Sequence, residues 1–179
     1  SGFITFLPDE VITLSSSGNN LKVECGDFKT QINGFPPDDF PIIPNISEKG
    51  SLSINSLELC RALSQVVDIP SISNTRPEIS GIFFNFKDKE LRIVATDSYR
   101  LGERKIKINQ EMEGSFSFIL PQKAAKEVIN IFNNKTEEIK IVIGANQVLF
   151  ESLLSEVKKP AVHFISRQIE GEYPNYKDI

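Results

Sequence analysis

Gly50-Ser51-Leu52-Ser53-Ile54 alternates apolar and polar residues at period two, the pattern of a half-buried β-strand. An offset of 64 residues, from Ser51 to Ser115, leads to Gly114-Ser115-Phe116-Ser117-Phe118, which repeats it in composition and alternation. The residues downstream of each copy are alike too. After the first, Asn55 or Ser56 opens a helix with Leu59, Leu63, Val66 and Val67 on one face and Arg61 and Gln65 outside it. Asp68 to Asn74 breaks that helix with turn chemistry. After the second, Pro121 stands near the first turn of a helix that buries Ala125, Val128, Ile129 and Phe132. Strands come next in both. Gly81 to Phe86 and Leu91 to Ala95 flank the turn Lys87-Asp88-Lys89, and Thr96-Asp97-Ser98 leads into a strand from Arg100 to Ile108. Ile139 to Ile143 and Val148 to Ser152 flank Gly144-Ala145-Asn146, and Ala161 to Ile169 comes last. Residues 46–179 therefore read as an α+β unit of two strand–helix–three-strand repeats, with halves at about 46–110 and 111–179.

A longer repeat overlaps this one. Val11-Ile12-Thr13-Leu14, a Ser/Gly/Asn turn, Leu21-Lys22-Val23-Glu24, a further strand and Phe40-Pro41 match the order of the last segments. There, Ile139-Lys140-Ile141-Val142, a Gly/Asn turn, Val148-Leu149-Phe150-Glu151, a further strand and Tyr173-Pro174 succeed one another. Residues 1–45 thus read as the closing part of a truncated unit whose complete form is residues 46–179. The alternative is coincidence between short β-hairpins.

Composition narrows the function. Of the 179 residues 40% are hydrophobic and 25% charged, values of an ordinary globular protein. Twenty Lys+Arg against 24 Asp+Glu leave a net charge of −4, which excludes a protein that grips phosphates over its whole surface but permits a local basic face. Two cysteines, Cys25 and Cys60, and one histidine, His163, cannot make a four-ligand structural zinc site without carboxylates, and no other metal or cofactor is expected. Two thiols make no disulfide framework, so a reducing cytosol is the simpler setting. No apolar run approaches the ~18 residues that span a bilayer, and no signal peptide is visible, so no membrane partner is expected.

One stretch goes beyond pattern. Val94-Ala95-Thr96-Asp97-Ser98-Tyr99-Arg100-Leu101, preceded by Gly81 and a Phe-rich strand, resembles the middle domain of the bacterial DNA polymerase III beta subunit, the sliding clamp. Ile169-Glu170-Gly171-Glu172-Tyr173-Pro174-Asn175-Tyr176 is similar to the segment that closes that domain, and Phe35-Pro36-Pro37-Asp38-Asp39-Phe40-Pro41 to the close of the preceding one. The resemblance implies a DNA-clamp fold, with helices on one DNA-facing side and antiparallel sheets outside. Residues 1–45 would be the end of the first domain and 46–179 the whole middle domain. It implies a homodimer ring that encircles double-stranded DNA without reading sequence, a non-catalytic processivity subunit acting in the bacterial cytoplasm on the nucleoid. Polymerase subunits, the clamp loader and repair proteins would dock on it through short peptides. It further implies that the strand near Gly26 to Ile32 pairs with a neighbouring subunit, so that Cys25 to Ile32 is an open edge without that partner.

Carried over position by position, the partner-peptide pocket would be lined by Ile79, Thr96, Ser98, Tyr99, Arg100, Leu101, Pro174 and Ile179. Ile79, Leu101, Pro174 and Ile179 would supply apolar walls, and Thr96 and the backbone around Ser98 hydrogen bonds. Asp97 and Arg100 either contact peptide or brace the turn as a local ion pair. Tyr99 is either a recognition residue or a bare surface ring. Asp178 stands where some relatives carry a base, and with the third domain absent this half-pocket is expected to bind peptide weakly. The DNA-facing candidates are Arg61 on the first helix, Arg76 in the loop after it, and Lys123 and Lys126, three apart on the second helix. Each is otherwise an ordinary solvated charge, and Glu58 and Glu127 dilute the basic bias.

An enzyme finds no constellation here. His163 alternates with Val162 and Phe164 in a strand, Cys60 sits among Leu59 and Leu63, and Gly144-Ala145-Asn146 joins two strands instead of opening a helix. Asp97 with Glu90 or Asp88 is a weak magnesium candidate. The stronger rival is a β-rich clamp-like adaptor that binds protein peptides and never meets DNA.

Overall fold

Asn55 marks the point where strand becomes helix. Its side-chain oxygen accepts hydrogen bonds from the N–H groups of Leu57 at 3.1 Å and Glu58 at 3.3 Å, satisfying two donors that the first turn leaves without a partner. The computed structural model describes residues 2–40, 46–71, 73, 75–110, 114–133, 137–153 and 160–178. The chain divides into two units, Ser1–Pro44 and Asn45–Ile179.

In the second unit β4 (Gly50–Asn55) feeds α1 (Ser56–Val66), followed by β5 (Gly81–Lys87), β6 (Glu90–Thr96) and β7 (Leu101–Lys107). The order recurs in β8 (Phe116–Pro121), α2 (Gln122–Phe132), β9 (Glu138–Ile143), β10 (Gln147–Leu153) and β11 (Pro160–Arg167). Some boundaries move. β8 starts at Phe116 and not at Gly114, whose φ of 91° marks a turn, and β11 stops at Arg167, short of Ile169.

The two repeats are exchanged in space. The sheet orders are β7-β6-β5-β8 and β11-β10-β9-β4, every pair antiparallel. Each half therefore lends its first strand to the sheet of the other: Leu52 lies opposite Ile141, and Phe118 opposite Phe84. One core results, not two. Leu52, Ile54, Leu59, Leu63, Phe84, Ile93, Phe118, Phe132, Ile141 and Phe150 belong to a single buried cluster shared by both sheets and both helices. Phe84 and Phe118 stack at 4.6 Å between ring centres. Removing a fully buried ring such as Phe84, Phe132 or Phe150 costs about 3–5 kcal/mol.

The helices pack against each other within this core. Gln122, the first residue of α2, donates its side-chain N–H to the Val67 carbonyl at 2.7 Å, so one amide ends α1 and fastens α2 to it. Cys60 is fully buried, and burial pushes its thiol up to about 11, which suits a small core side chain and not a nucleophile. The outer face of the β7-β6-β5-β8 sheet is covered by chain instead of helix. Residues 168–178 cross it as a strap, pinned where the Ile169 N–H meets the Ile119 carbonyl at 2.9 Å. Tyr173 of the strap stacks on Phe83, with ring centres 4.7 Å apart and planes 4° apart, and packs with Val94 and Ile119.

In the first unit β1 (Thr13–Ser17), β2 (Asn20–Cys25) and β3 (Phe28–Asn33) form an antiparallel sheet in the order β1-β2-β3. The register puts Leu14, Leu21, Val23, Cys25, Phe28 and Ile32 on one face and Thr13, Ser15, Lys22, Glu24, Lys29 and Gln31 on the other. Among the described residues of this unit only Val23 and Cys25 are buried, so most of the apolar face is exposed. β3 pairs with β2 alone among the described strands.

Candidate partner-binding turn and nucleic-acid face

The Thr96–Leu101 turn is held by side chains more than by backbone. The Thr96 hydroxyl accepts from the Ser98 N–H at 3.1 Å and donates to the Arg100 carbonyl at 2.8 Å. One oxygen of Asp97 accepts from the N–H groups of Tyr99 and Arg100, both at 3.0 Å. Its other oxygen accepts from Arg100 Nε at 3.1 Å. These bonds, the Tyr99 N–H first and the Arg100 contacts after it, hold the Asp97 carboxyl below the usual carboxylate range. Arg100 also reaches the Asp68 carbonyl with Nη2 at 3.0 Å, tying the turn to the end of α1. The Asp97–Arg100 pair thus braces the turn.

This brace changes the role of Thr96. Expected to offer a hydrogen bond to a peptide, it is 1% exposed and spends its hydroxyl inside the turn. What the brace displays is apolar. Tyr99 is 98% exposed and Leu101 40%, and they are the only exposed large hydrophobic side chains among the described residues of the second unit. Ser98 holds a φ of 77°, a left-handed backbone that costs a serine about 1 kcal/mol and turns Tyr99 outward.

Of the other pocket candidates, Ile79 sits in the 3-10 turn Pro77–Ser80 and is 4% exposed, so it presents little more than an edge. Pro174 lies along the strap and lines a cleft of about 680 Å³ with Phe83, Arg92, Tyr173 and Tyr176. Tyr173 is buried with its hydroxyl beside the Thr96 backbone, and that burial raises its pKa to about 12. Ile179 lies outside the described residues. Arg76, expected on the DNA side, donates from Nη1 to the Ser98 hydroxyl at 3.3 Å and from Nε to Glu78 at 3.4 Å. The structure therefore places it at the rim of the turn. Sequence spacing hides this, because Arg76 and Ser98 are 22 positions apart and on different elements.

Arg61, Lys123 and Lys126 are all exposed on the helices. Lys126 is not free: its ammonium stands 2.9 Å from Asp68. Arg61 and Lys123 have no ion-pair partner among the described residues. With Glu58 and Glu127 also exposed, the face is mixed and only weakly basic. His163 on β11, exposed, faces the half-buried Glu151 on β10 at 3.7 Å as a cross-strand pair. No group of three His, Cys, Asp or Glu residues among those described converges to hold a metal.

The sequence profile of the DNA polymerase III beta subunit, central domain, matches residues 53–175. The beta sliding clamps of Staphylococcus epidermidis and Staphylococcus aureus are each 32% identical over 170 residues, covering 94% of this chain. The chain spans 43% of the length of these curated relatives. The DNA polymerase sliding clamp from Bacillus subtilis superposes on 99% of the chain with a TM-score of 0.83 at 29% identity, over 45% of its own chain. A sliding clamp from Pseudomonas aeruginosa shares the fold at a TM-score of 0.85 and 21% identity, covering 99% of this chain and 47% of its own.

Proposed function

The chain belongs to the DNA polymerase III beta subunit family, the bacterial sliding clamps, and from that premise we propose that it forms part of a non-catalytic ring around duplex DNA. Two copies of the complete protein close the ring. The helix pair faces the duplex, the sheets face out, and the Thr96–Leu101 turn receives the peptide tails of polymerase subunits, a clamp loader and repair proteins.

One observation carries the partner-binding part. On a unit whose other described large apolar side chains are at least partly covered, Tyr99 and Leu101 stand exposed on a turn locked by Thr96, Asp97 and Arg100. A rigid mount for two apolar contacts is what a short peptide needs in order to bind without first ordering its receptor. Arg76 at the rim adds a guanidinium for a polar or acidic peptide group. The DNA-free adaptor is the less favoured reading, since the relatives are named as sliding clamps.

The test is a titration of the isotopically labelled chain with a short peptide carrying Gln and Leu/Phe anchors, followed by amide chemical shifts. Saturable shifts at Arg76, Ile79, Ser98 to Leu101 and Tyr173, abolished by Leu101→Ser, are expected. Shifts confined to the first unit, or none at millimolar peptide, would sink the assignment.

A further inference from the structure

Arg104 stands at a position of β7 that should belong to the core. The pleat alternates, and both neighbours on its side of the strand face inward: Ile106 is 2% exposed within the core cluster, and a Cβ added at Gly102 would press on the tip of Ile69 beside Val66. Glu103 and Lys105 face the other way. They pair at 3.3 Å, and Glu103 also accepts from the Tyr176 hydroxyl at 3.2 Å, on the strap side of the sheet. Arg104 therefore projects on the helix-bearing side.

Its level along α1 can be bracketed. Gly102 touches the C-terminal end of α1, while Ile108, Asn109 and Gln110 share a cleft with Asn55 and Glu58 at the helix's N-terminal end. β7 and α1 thus run antiparallel side by side, and Arg104, two residues or about 7 Å along β7 from Gly102, comes level with the middle of α1 near Arg61. The pseudo-equivalent position in the second repeat is informative. Arg104 pairs with Ile93 as Phe164 pairs with Phe150, and Phe164 packs on the core. Where one repeat has a ring, the other has an exposed guanidinium with no side-chain partner among the described residues.

We infer that Arg104 is a further phosphate-contacting cation of the helix face, acting beside Arg61 and Lys123 on duplex DNA. The inference rests on the sliding-clamp reading. A guanidinium on an edge strand is left uncovered by the helix beside it and suits a phosphate oxygen by fork geometry, without reading a base. The competing explanation is an inward-pointing charge that guards β7, an edge strand, against pairing with another chain.

The experiment is fluorescence anisotropy of a labelled 20-base-pair duplex against this chain over a salt series, with Arg104→Gln, Arg104→Glu, Lys105→Gln and Lys123→Gln, and light scattering of Arg104→Val. Arg104→Gln and Lys105→Gln remove the same charge one residue apart on opposite faces. A phosphate contact predicts that Arg104→Gln flattens the slope of log K against log salt by about 0.9 and that Arg104→Glu weakens binding further, while Lys105→Gln leaves the slope unchanged. If Arg104→Gln and Lys105→Gln are indistinguishable while Lys123→Gln flattens the slope, the inference falls alone. Self-association of Arg104→Val with a normal slope for Arg104→Gln would make the residue an edge guard and overturn it too. If the unaltered chain shows no salt-dependent binding, or Lys123→Gln has no effect, the DNA-facing reading of the helix pair falls with it.

Discussion

Replacing Thr96 by Val keeps shape and volume and removes one hydroxyl, so it isolates what that hydroxyl does. In the folded chain it makes two hydrogen bonds, at 2.8 Å to the Arg100 carbonyl and 3.1 Å from the Ser98 N–H, and the residue is 1% exposed. Valine leaves both backbone groups without that partner. A long contact from the Asp97 N–H to the Arg100 carbonyl at 3.4 Å remains, which compensates little. Two lost hydrogen bonds in a part-buried setting come to about 2 kcal/mol. In a unit of this size that lowers Tm by about 7 °C. All three tyrosines, Tyr99, Tyr173 and Tyr176, lie in the second unit and the chain has no Trp, so tyrosine emission in urea reports this unit alone. The midpoint should fall at unchanged m, and peptide binding should weaken as the turn loosens. Thr96→Ser keeps the hydroxyl, loses a methyl and should cost about 1 kcal/mol or less. If Thr96→Val stays within about 0.5 kcal/mol of the unaltered chain, or Thr96→Ser proves the more damaging, the hydroxyl does not hold the turn and the site is not preformed by it.

Asp97 has its folded-state pKa lowered, so the brace is intact above the ordinary carboxylate range and is lost as pH falls through the folded value. Amide exchange at Tyr99 and Arg100 should accelerate in acid, and Asp97→Asn should remove that acid dependence. Asp68→Asn releases Lys126 from its 2.9 Å ion pair; the pair is exposed, so stability should shift by less than about 1 kcal/mol. The salt slope for duplex binding should nevertheless steepen by up to about 0.9, which anisotropy would resolve. Asp88 and Lys89 turn the β5–β6 hairpin with φ of 53° and 61°, backbone that suits Asn-Gly. Lys89→Gly should therefore stabilise the second unit by about 0.5–1 kcal/mol in the same urea experiment.

Period-two alternation and helical periodicity located the strands and helices of the second unit because burial on one face is written locally, residue by residue. Nothing local says which strand lies next to which. The exchange of β4 and β8 between the sheets is a property of how two half-cores close over each other. Leu52 and Phe118 would read the same in either arrangement. The site was legible to a different degree. Asp97 and Arg100 are three apart in a polar turn, and a local brace follows from that spacing alone. The inward commitment of Thr96, the reach of Arg76 to Ser98 and the pairing of Lys126 with Asp68 are tertiary events. Arg104 left a faint signal, a base in phase with Gly102 and Ile106, but the phase became meaningful only once both neighbours were found against the core.

The charge arrangement bears on how such a protein holds DNA. Proteins that grip duplex by phosphate contacts alone use about 6–10 of them and lose about 10³–10⁵ in affinity between 50 and 200 mM salt. The helix pair here exposes Arg61, Lys123 and Lys126 against Glu58 and Glu127, with Lys126 already engaged by Asp68. A face so nearly balanced binds duplex only weakly and in low salt, whereas a closed ring needs no more than that, and each strong contact it added would raise the barrier to moving along the duplex. Under the proposed ring, the chain's net charge of −4 disfavours phosphate contact away from the helix side. On that account adding cations to the helix face should tighten static binding and slow diffusion along the duplex together. A variant that gained affinity with no loss of mobility in single-molecule tracking of the complete ring would show that contact number does not limit sliding.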